Sequence, residues 1–289
     1  MKNAFLASEC PPVPADDAAF HVIPAPMELS VSYGQGTRLG PSAILAASQQ
    51  LEACDAEGRL TPARIHTQRA VSSRSRDPEV WIAAVEKRVA QTLACRSVPV
   101  LLGGEHTVSL GAARAFHAAR DLVGFIQFDA HADLRGTYEG SPLSHACVMR
   151  RIHELGFPCL QIATRAVSPE EQEYRKAHRS SISFYDARVI ADDGMSRHFI
   201  PRGFPKRVYI TFDLDGLDPA VLPATGTPVP GGLFWYDAIR ILRRIAATRD
   251  IVGLDVVELA PNRASPHADF TAALLTQTLM GFAAASPTR

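Results

Sequence analysis

The sequence is poor in several features that set chemistry quickly. Its 289 residues include five cysteines, Cys10, Cys54, Cys95, Cys147 and Cys159, and no CxxC spacing. An odd number cannot all pair within one chain, and without paired spacings there is no basis for a thiolate-rich metal site. Reduced thiols acting as small buried apolar residues in a cytoplasmic protein are the simplest reading. A surplus of either charge is also missing: 30 Lys and Arg balance 30 Asp and Glu. Neither nucleic acid nor an anionic membrane is therefore expected as a partner. No run approaches the roughly 20 apolar residues that cross a bilayer. No basic stretch followed by a sustained apolar segment opens the chain, so no secretory leader is expected. Gly103-Gly104 lacks the Lys and Ser/Thr of a phosphate-binding loop and reads as close backbone packing. No stretch looks like a linker, a solenoid repeat or a low-complexity tract.

What is present suits a globular α/β protein, with 46% hydrophobic and 21% charged residues. The expected organisation is an irregular arm over 1–17 and one catalytic domain over 18–289. Apolar runs predict strands at Ala19–Pro24, Val98–Leu102, Leu122–Asp129, Cys159–Thr164, Ile182–Tyr185, Arg207–Asp213 and Ile251–Val257. Helices are expected at Pro41–Ala53, from Asp77 through Leu93, at Thr107–Ala119, from Ser144 to Leu155, after Ser168, at Trp235–Ala247 and at Phe270–Ala285. Asp77-Pro78 and Ser168-Pro169-Glu170-Glu171 carry helix-start chemistry. The polar stretch 56–76 predicts no particular element. Strands alternating with helices predict a three-layer αβα sandwich around a mostly parallel sheet, with ligands beyond the carboxyl ends of the strands.

Every cluster of candidate ligands falls at such an end. Asp129-Ala130-His131-Ala132-Asp133 follows one apolar strand, Asp213-Leu214-Asp215 another, and Glu105-His106 a third. If the extended geometry persists, residues 129, 131 and 133 share one side, as do 213 and 215. Four aspartates and two imidazoles are enough to hold two divalent cations, and such a set suits Mn²⁺. Two adjacent metals can lower the pKa of a bridging water and direct hydroxide at a planar, electrophilic carbon.

At these residues the chain resembles the ureohydrolases, the family of arginase, agmatinase and their relatives. The matching blocks are Gly103-Gly104-Glu105-His106, Asp129–Asp133, Ser144-His145-Ala146, Asp213–Pro219 and Gly253–Glu258, in order and across nearly the whole chain. The resemblance implies an arginase-like fold, two Mn²⁺ ions and a homo-trimer or homo-hexamer. It implies that His106, Asp129, Asp133 and Asp213 hold one metal. Asp129, His131, Asp213 and Asp215 would hold the other, with Asp129 and Asp213 bridging. Glu258 would grip the guanidinium, and His145 would shuttle a proton to the leaving amine. Ala146 stands where many members have Gly.

The implied reaction cleaves a small guanidino substrate into urea and an amine. The loop 134–143 resembles that of bacterial agmatinases, as do Tyr33–Arg38 and Gly40–Ile44, which points to agmatine and putrescine. Glu139 in that loop is a candidate partner for the distal ammonium, its alternative being a solvated loop glutamate. Arg135, if it points inward, would favour a carboxylate tail such as that of 4-guanidinobutyrate. An arginase is a further alternative within the class. Thr225–Gly232 reads equally as a substrate loop or a rigid turn. A single-zinc deacetylase of the same fold would lack the complete six-ligand set, and a non-catalytic metal-binding subunit would lack a ligand.

Overall fold

A computed structural model describes residues 4–61, 64–262 and 266–285. Residues 1–3 of the expected arm and 286–289 of the expected domain lie outside the described residues. Eight strands form one sheet: β1 (Phe20–Ala25), β2 (Ile65–Thr67), β3 (Val98–Gly103), β4 (Gly124–Phe128), β5 (Cys159–Ile162), β6 (Ile182–Tyr185), β7 (Arg207–Asp213) and β8 (Asp250–Val257). Their order is β2-β1-β3-β8-β7-β4-β5-β6, and every pairing is parallel. All carboxyl ends therefore meet along one edge, and helical crossovers return the chain each time.

The helices are α1 (Gly40–Ala47), α2 (Pro78–Ala94), α3 (Val108–Ala118), α4 (Val148–Glu154), α5 (Pro169–Ala177), α6 (Ala187–Asp193), α7 (Trp235–Ala246) and α8 (His267–Ala284). Asp77 caps α2 by accepting the Glu79 N–H at 2.9 Å. Ser168 and Glu171 form the reciprocal capping box of α5. Alternate strand residues feed two cores. Val100, Ile126, Phe128, Ile210, Phe212 and Leu254 pack with α1, α7 and α8; Leu101, Phe125, Tyr209 and Val257 pack with α2, α3 and α4. This is the three-layer arrangement that the alternating pattern predicts.

The differences have local causes. β2 lies in the polar stretch 56–76, where three residues pairing at the sheet edge leave no periodic signal. The short helix α6 follows Asp186, whose side chain makes no cap bond. α1 stops before residue 53 because the chain tightens into a 3₁₀ turn over Ser48–Gln50. There Ser48 Oγ accepts the Leu6 N–H at 3.0 Å and donates to Leu45 O at 2.8 Å. The arm is thus irregular but docked: Phe5 and Leu6 are buried in the α1/α8 core.

One close approach fixes the loop after β3. Gly104 N–H donates to Ala25 O at 2.9 Å, and a Cβ there would lie 2.0 Å from Met27 O. Backbone cannot retreat as a flexible side chain can. Gly104→Ala is expected to destabilise the fold by about 1–3 kcal/mol through overpacking, read as a lower urea midpoint. An unchanged midpoint would mean that the β1 and β3 loops are free to separate.

Candidate metal centre

The ligand segments converge, but not by remaining extended. β4 ends at Phe128, and Asp133 has a left-handed φ of 53°. Asp129 Oδ1 accepts the His131 N–H at 2.6 Å, which bends the chain immediately after the strand. Asp215 lies in a 3₁₀ turn over Leu214–Gly216, closed by its N–H donating to Asp213 Oδ1 at 2.9 Å. The strand-alternation argument is corrected here: strand-end carboxylates accept the second amide beyond themselves and curl the chain, as Asp does in turns. Gly216 packs the second turn on the first, since a Cβ there would come within 2.8 Å of Asp129 N.

The result is two sets of ligand atoms that share Asp129. His106 Nδ1 faces Asp133 Oδ2 at 3.1 Å, Asp129 Oδ2 at 3.2 Å and Asp213 Oδ2 at 3.4 Å. His131 Nδ1 faces Asp215 Oδ2 at 3.0 Å and Asp129 Oδ1 at 3.5 Å. Ligand atoms of His106, Asp129 and Asp213, and those of Asp129, His131 and Asp215, all lie within 4.8 Å of one another. Asp213 Oδ2 faces His106, and its Oδ1 accepts the Asp215 amide. His106 Nδ1 is buried and, among the described residues, has no hydrogen-bond partner. A buried lone pair aimed at three carboxylate oxygens fits a divalent cation and is costly otherwise.

Beneath the ligands runs a polar row that sequence reasoning missed. Asp255, Thr211, Gln127 and Gln161 are register partners across β8, β7, β4 and β5. His106 Nε2 lies 2.8 Å from Thr211 Oγ1, and Thr211 donates to Asp255 Oδ1 at 2.7 Å. Because that hydroxyl proton is committed to Asp255, the His106 ring must donate from Nε2, leaving the Nδ1 lone pair free. Such outer hydrogen bonds orient metal-ligating imidazoles. On the other side Gln127 Nε2 donates to Asp129 Oδ2 at 2.7 Å. Gln161 donates to Gln127, and the buried Arg175 donates to Gln161 Oε1 at 2.8 Å. The signal was legible in principle: Gln127 and Thr211 are polar residues inside apolar strands, each two positions before a ligand aspartate.

Burial and proximity shift every group. Burial alone lowers the His131 pKa, but Asp129 and Asp215 push it up to about 12. Burial also opposes charge on His106, yet its three aspartates hold it well above the usual imidazole range. Burial, then the Asp129 charge, pushes Asp133 up to about 7. Burial and the neighbouring Asp215 hold Asp213 well above the carboxylate range. Asp129 goes the other way: burial would raise it, but the adjacent imidazoles of His106 and His131 lower it.

A narrow pocket of about 20 Å³ reaches these atoms between Tyr33, Gly34, His145, Gly226, Thr227 and Glu258. Glu258, at a left-handed φ of 65°, takes the His106 N–H on Oε1 at 2.6 Å. Burial and the nearby Glu105 raise its pKa well above the carboxylate range. His145 opens a 3₁₀ turn over His145–Cys147, and burial lowers its pKa. Ala146, second in that turn, has no left-handed backbone for which Gly would be needed. Thr225–Gly232 is both wall and clamp: Gly34 N–H donates to Gly226 O at 3.0 Å. Arg165 Nη2 ties Val229 O to Asp215 O, both at 2.6 Å.

An outer cleft of about 390 Å³ continues past His131 and His145 along Arg135, Tyr138, Ser168 and Glu171. Glu139 is not among its walls. It sits exposed at the corner of the Tyr138–Ser141 turn with φ 49°. Arg135 does line the cleft, its guanidinium 5.4 Å from the Tyr138 ring centre.

Comparison with known proteins agrees with this geometry. The model of the family described as "Arginase family" matches residues 18–282. An N(1)-aminopropylagmatine ureohydrolase of Synechocystis sp. is 38% identical over 275 residues, covering 92% of this chain and 89% of the relative. An agmatinase of Pyrococcus horikoshii is 30% identical, covering 96% of each. The crystal structure of the agmatine ureohydrolase of Thermoplasma volcanium superposes with a TM-score of 0.85 at 30% identity, over 98% of this chain and 94% of that one. The chain belongs to the arginase family.

Cation binding is expected to release protons, because ligands must be deprotonated, and at neutral pH the imidazole of His131 holds its proton and the carboxyl of Asp133 holds one in part. Affinity should therefore rise with pH through neutrality. Calorimetry in buffers of differing ionisation enthalpy checks this, and a buffer-independent heat would contradict it.

Proposed function

We propose that this arginase-family hydrolase uses two Mn²⁺ ions to split agmatine into urea and putrescine. The observation that carries the reading is the carboxylate of Asp129, whose two oxygens face two different imidazole nitrogens. His106, Asp129, Asp133 and Asp213 are assigned to one cation, and Asp129, His131, Asp213 and Asp215 to the other, with Asp129 and Asp213 bridging. Bound there, two divalent cations supply Lewis acidity and make water acidic enough to act as a nucleophile near neutral pH. Glu258 Oε1 is held by the His106 amide, and its other oxygen is assigned to the guanidinium. His145 is assigned the proton traffic to the leaving amine. A complete second ligand set argues against a single-zinc deacetylase, and no expected ligand is missing as a purely binding subunit would require.

A second reading has its own support. A relative at 38% identity is an N(1)-aminopropylagmatine ureohydrolase, and the outer cleft continues beyond the pocket that would hold the guanidinium. A longer polyamine tail would occupy that cleft. We further assign residues 18–289 to one catalytic domain that acts in the cytoplasm. The five cysteines, all unpaired, support a reducing compartment. No described helix is long and apolar enough to cross a membrane. Assembly as a trimer or hexamer belongs to the same reading.

Urea release from agmatine, N(1)-aminopropylagmatine, 4-guanidinobutyrate and arginine, side by side with Mn²⁺-loaded protein, tests the substrate. The highest kcat/KM is expected for agmatine. A tenfold preference for the aminopropyl compound would move the assignment to the second reading, and a preference for 4-guanidinobutyrate would give Arg135 the specificity role. Asp129→Asn should lower both metal occupancy and turnover by at least about a hundredfold, within the range for lost metal or general-base function. Full occupancy with normal turnover would remove the bridging assignment.

A further inference from the structure

Behind His145 lies a buried chain that none of the assigned roles uses. Glu105 is fully buried, and its carboxylate accepts four hydrogen bonds. The N–H groups of Leu29 and Ser30 donate to Oε2 at 2.5 and 2.7 Å. The hydroxyls of Ser30 and Thr107 donate to Oε1 at 2.9 and 2.8 Å. Four donors saturate a carboxylate, so the Ser30 hydroxyl proton is committed to Glu105. Ser30 Oγ then has two lone pairs to offer. One accepts the backbone N–H of His145 at 3.1 Å. The other faces His145 Nδ1 at 3.2 Å. Ser144 Oγ stands at 3.4 Å from the same nitrogen, the weaker of the two contacts. Tyr138 meets the ring edge-on at 5.7 Å and limits its rotation. Among the described residues Nε2 has no protein partner, and His145 lines the pocket with His131, Asp133, Asp213, Asp215 and Glu258.

We infer that Ser30, oriented by Glu105, is a positioning residue that fixes His145 as the Nδ1–H tautomer and turns a bare Nε2 toward the substrate. The inference rests on the proposed hydrolysis for its kinetic consequence, but not for the tautomer itself. In that reaction the guanidinium carbon gains the oxygen of water and loses its bond to the amine nitrogen, which keeps the electron pair. Both water protons end on that nitrogen, one of them by way of Nε2. Guanidinium and water become urea and an alkylammonium, with one positive charge on each side. The opposite tautomer would present Nε2–H at the start and could not accept the first proton. This is the role that an orienting group plays behind a general base.

The test uses the full chain labelled with ¹⁵N-histidine and loaded with diamagnetic Zn²⁺, with His145→Asn used to assign the signal. Solid-state ¹⁵N spectra should show a protonated Nδ1 and an imine-type Nε2 in the unaltered protein, and a mixture or reversal in Ser30→Ala. With Mn²⁺, Ser30→Ala should lower kcat at least about tenfold, less than the roughly hundredfold or more of a lost acid–base group because the imidazole itself remains, with KM and metal stoichiometry unchanged. Ser30→Thr, which keeps a hydroxyl, should recover kcat to within about threefold and restore the Nδ1–H signal. A protonated Nε2 in the unaltered protein overturns the inference and gives the ring to Ser144. So does Ser30→Ala with normal kcat, or Ser30→Thr as impaired as Ser30→Ala. A protein that releases urea from no guanidine yet shows the expected spectra refutes the ureohydrolase reading and leaves the tautomer assignment supported.

Discussion

Four aspartates and two glutamates are buried around one edge of the sheet, and the fold is organised around keeping that charge in place. Buried carboxylates are tolerated only when paired, hydrogen-bonded or metal-bound. Most of their oxygens here are engaged by the chain: Asp129 by Gln127 and the His131 amide, Asp213 by the Asp215 amide of its own turn, Asp215 by the Ala130 amide of the opposing turn, Glu105 by four donors. Asp133 Oδ2, Asp213 Oδ2 and Asp215 Oδ2 are left to face the two imidazoles, together with both oxygens of Asp129. The protein satisfies enough of each carboxylate to fix its direction and leaves one demand open, and a divalent cation answers that demand.

The parallel sheet makes this possible. Residues far apart in sequence become lateral neighbours at fixed register, so Asp255, Thr211, Gln127 and Gln161 form one line without any local sequence signature. The line ends at Arg175, a guanidinium buried between Gln161, Thr164 and Asp186 and stacked over Phe184. A cation at one end of a chain of polarised amides lowers the cost of the anion at the other. The apolar layers on both faces keep water from competing for these bonds.

The alternation of elements was readable because each buried parallel strand is a continuous apolar run and each helix carries periodic apolar residues or cap chemistry, as at Asp77 and Ser168. The candidate ligands were readable as a cluster because Asp and His gather at the ends of three apolar runs. What stayed hidden had no local signal. β2 is three residues held by an edge pairing, and the docking of Phe5 and Leu6 depends on a hydroxyl 42 positions away. The roles of Ser30, Glu105 and Arg165 depend on loops meeting across the edge. The direction of Glu139 was not legible, because a charged residue in a loop says nothing of where it points, which a left-handed turn at Tyr138–Ser141 decides.

The turn after β3 ties these parts together. Glu105 and His106 are adjacent, yet one orients the proton-carrying imidazole through Ser30 and the other faces three ligand aspartates. Glu258 grips the His106 amide, so the residue assigned to the guanidinium is registered to the same turn. Gly104 seats that turn against the backbone of Met27, two residues before the Leu29 and Ser30 amides that bind Glu105. The groups assigned to metal, substrate and proton transfer thus take their positions from one backbone segment rather than from three loops moving separately. Reacting groups must be held to within fractions of an ångström for proximity to lower a barrier. A shared anchor achieves this with a single rigid contact, and a shift at Gly104 would displace all three together.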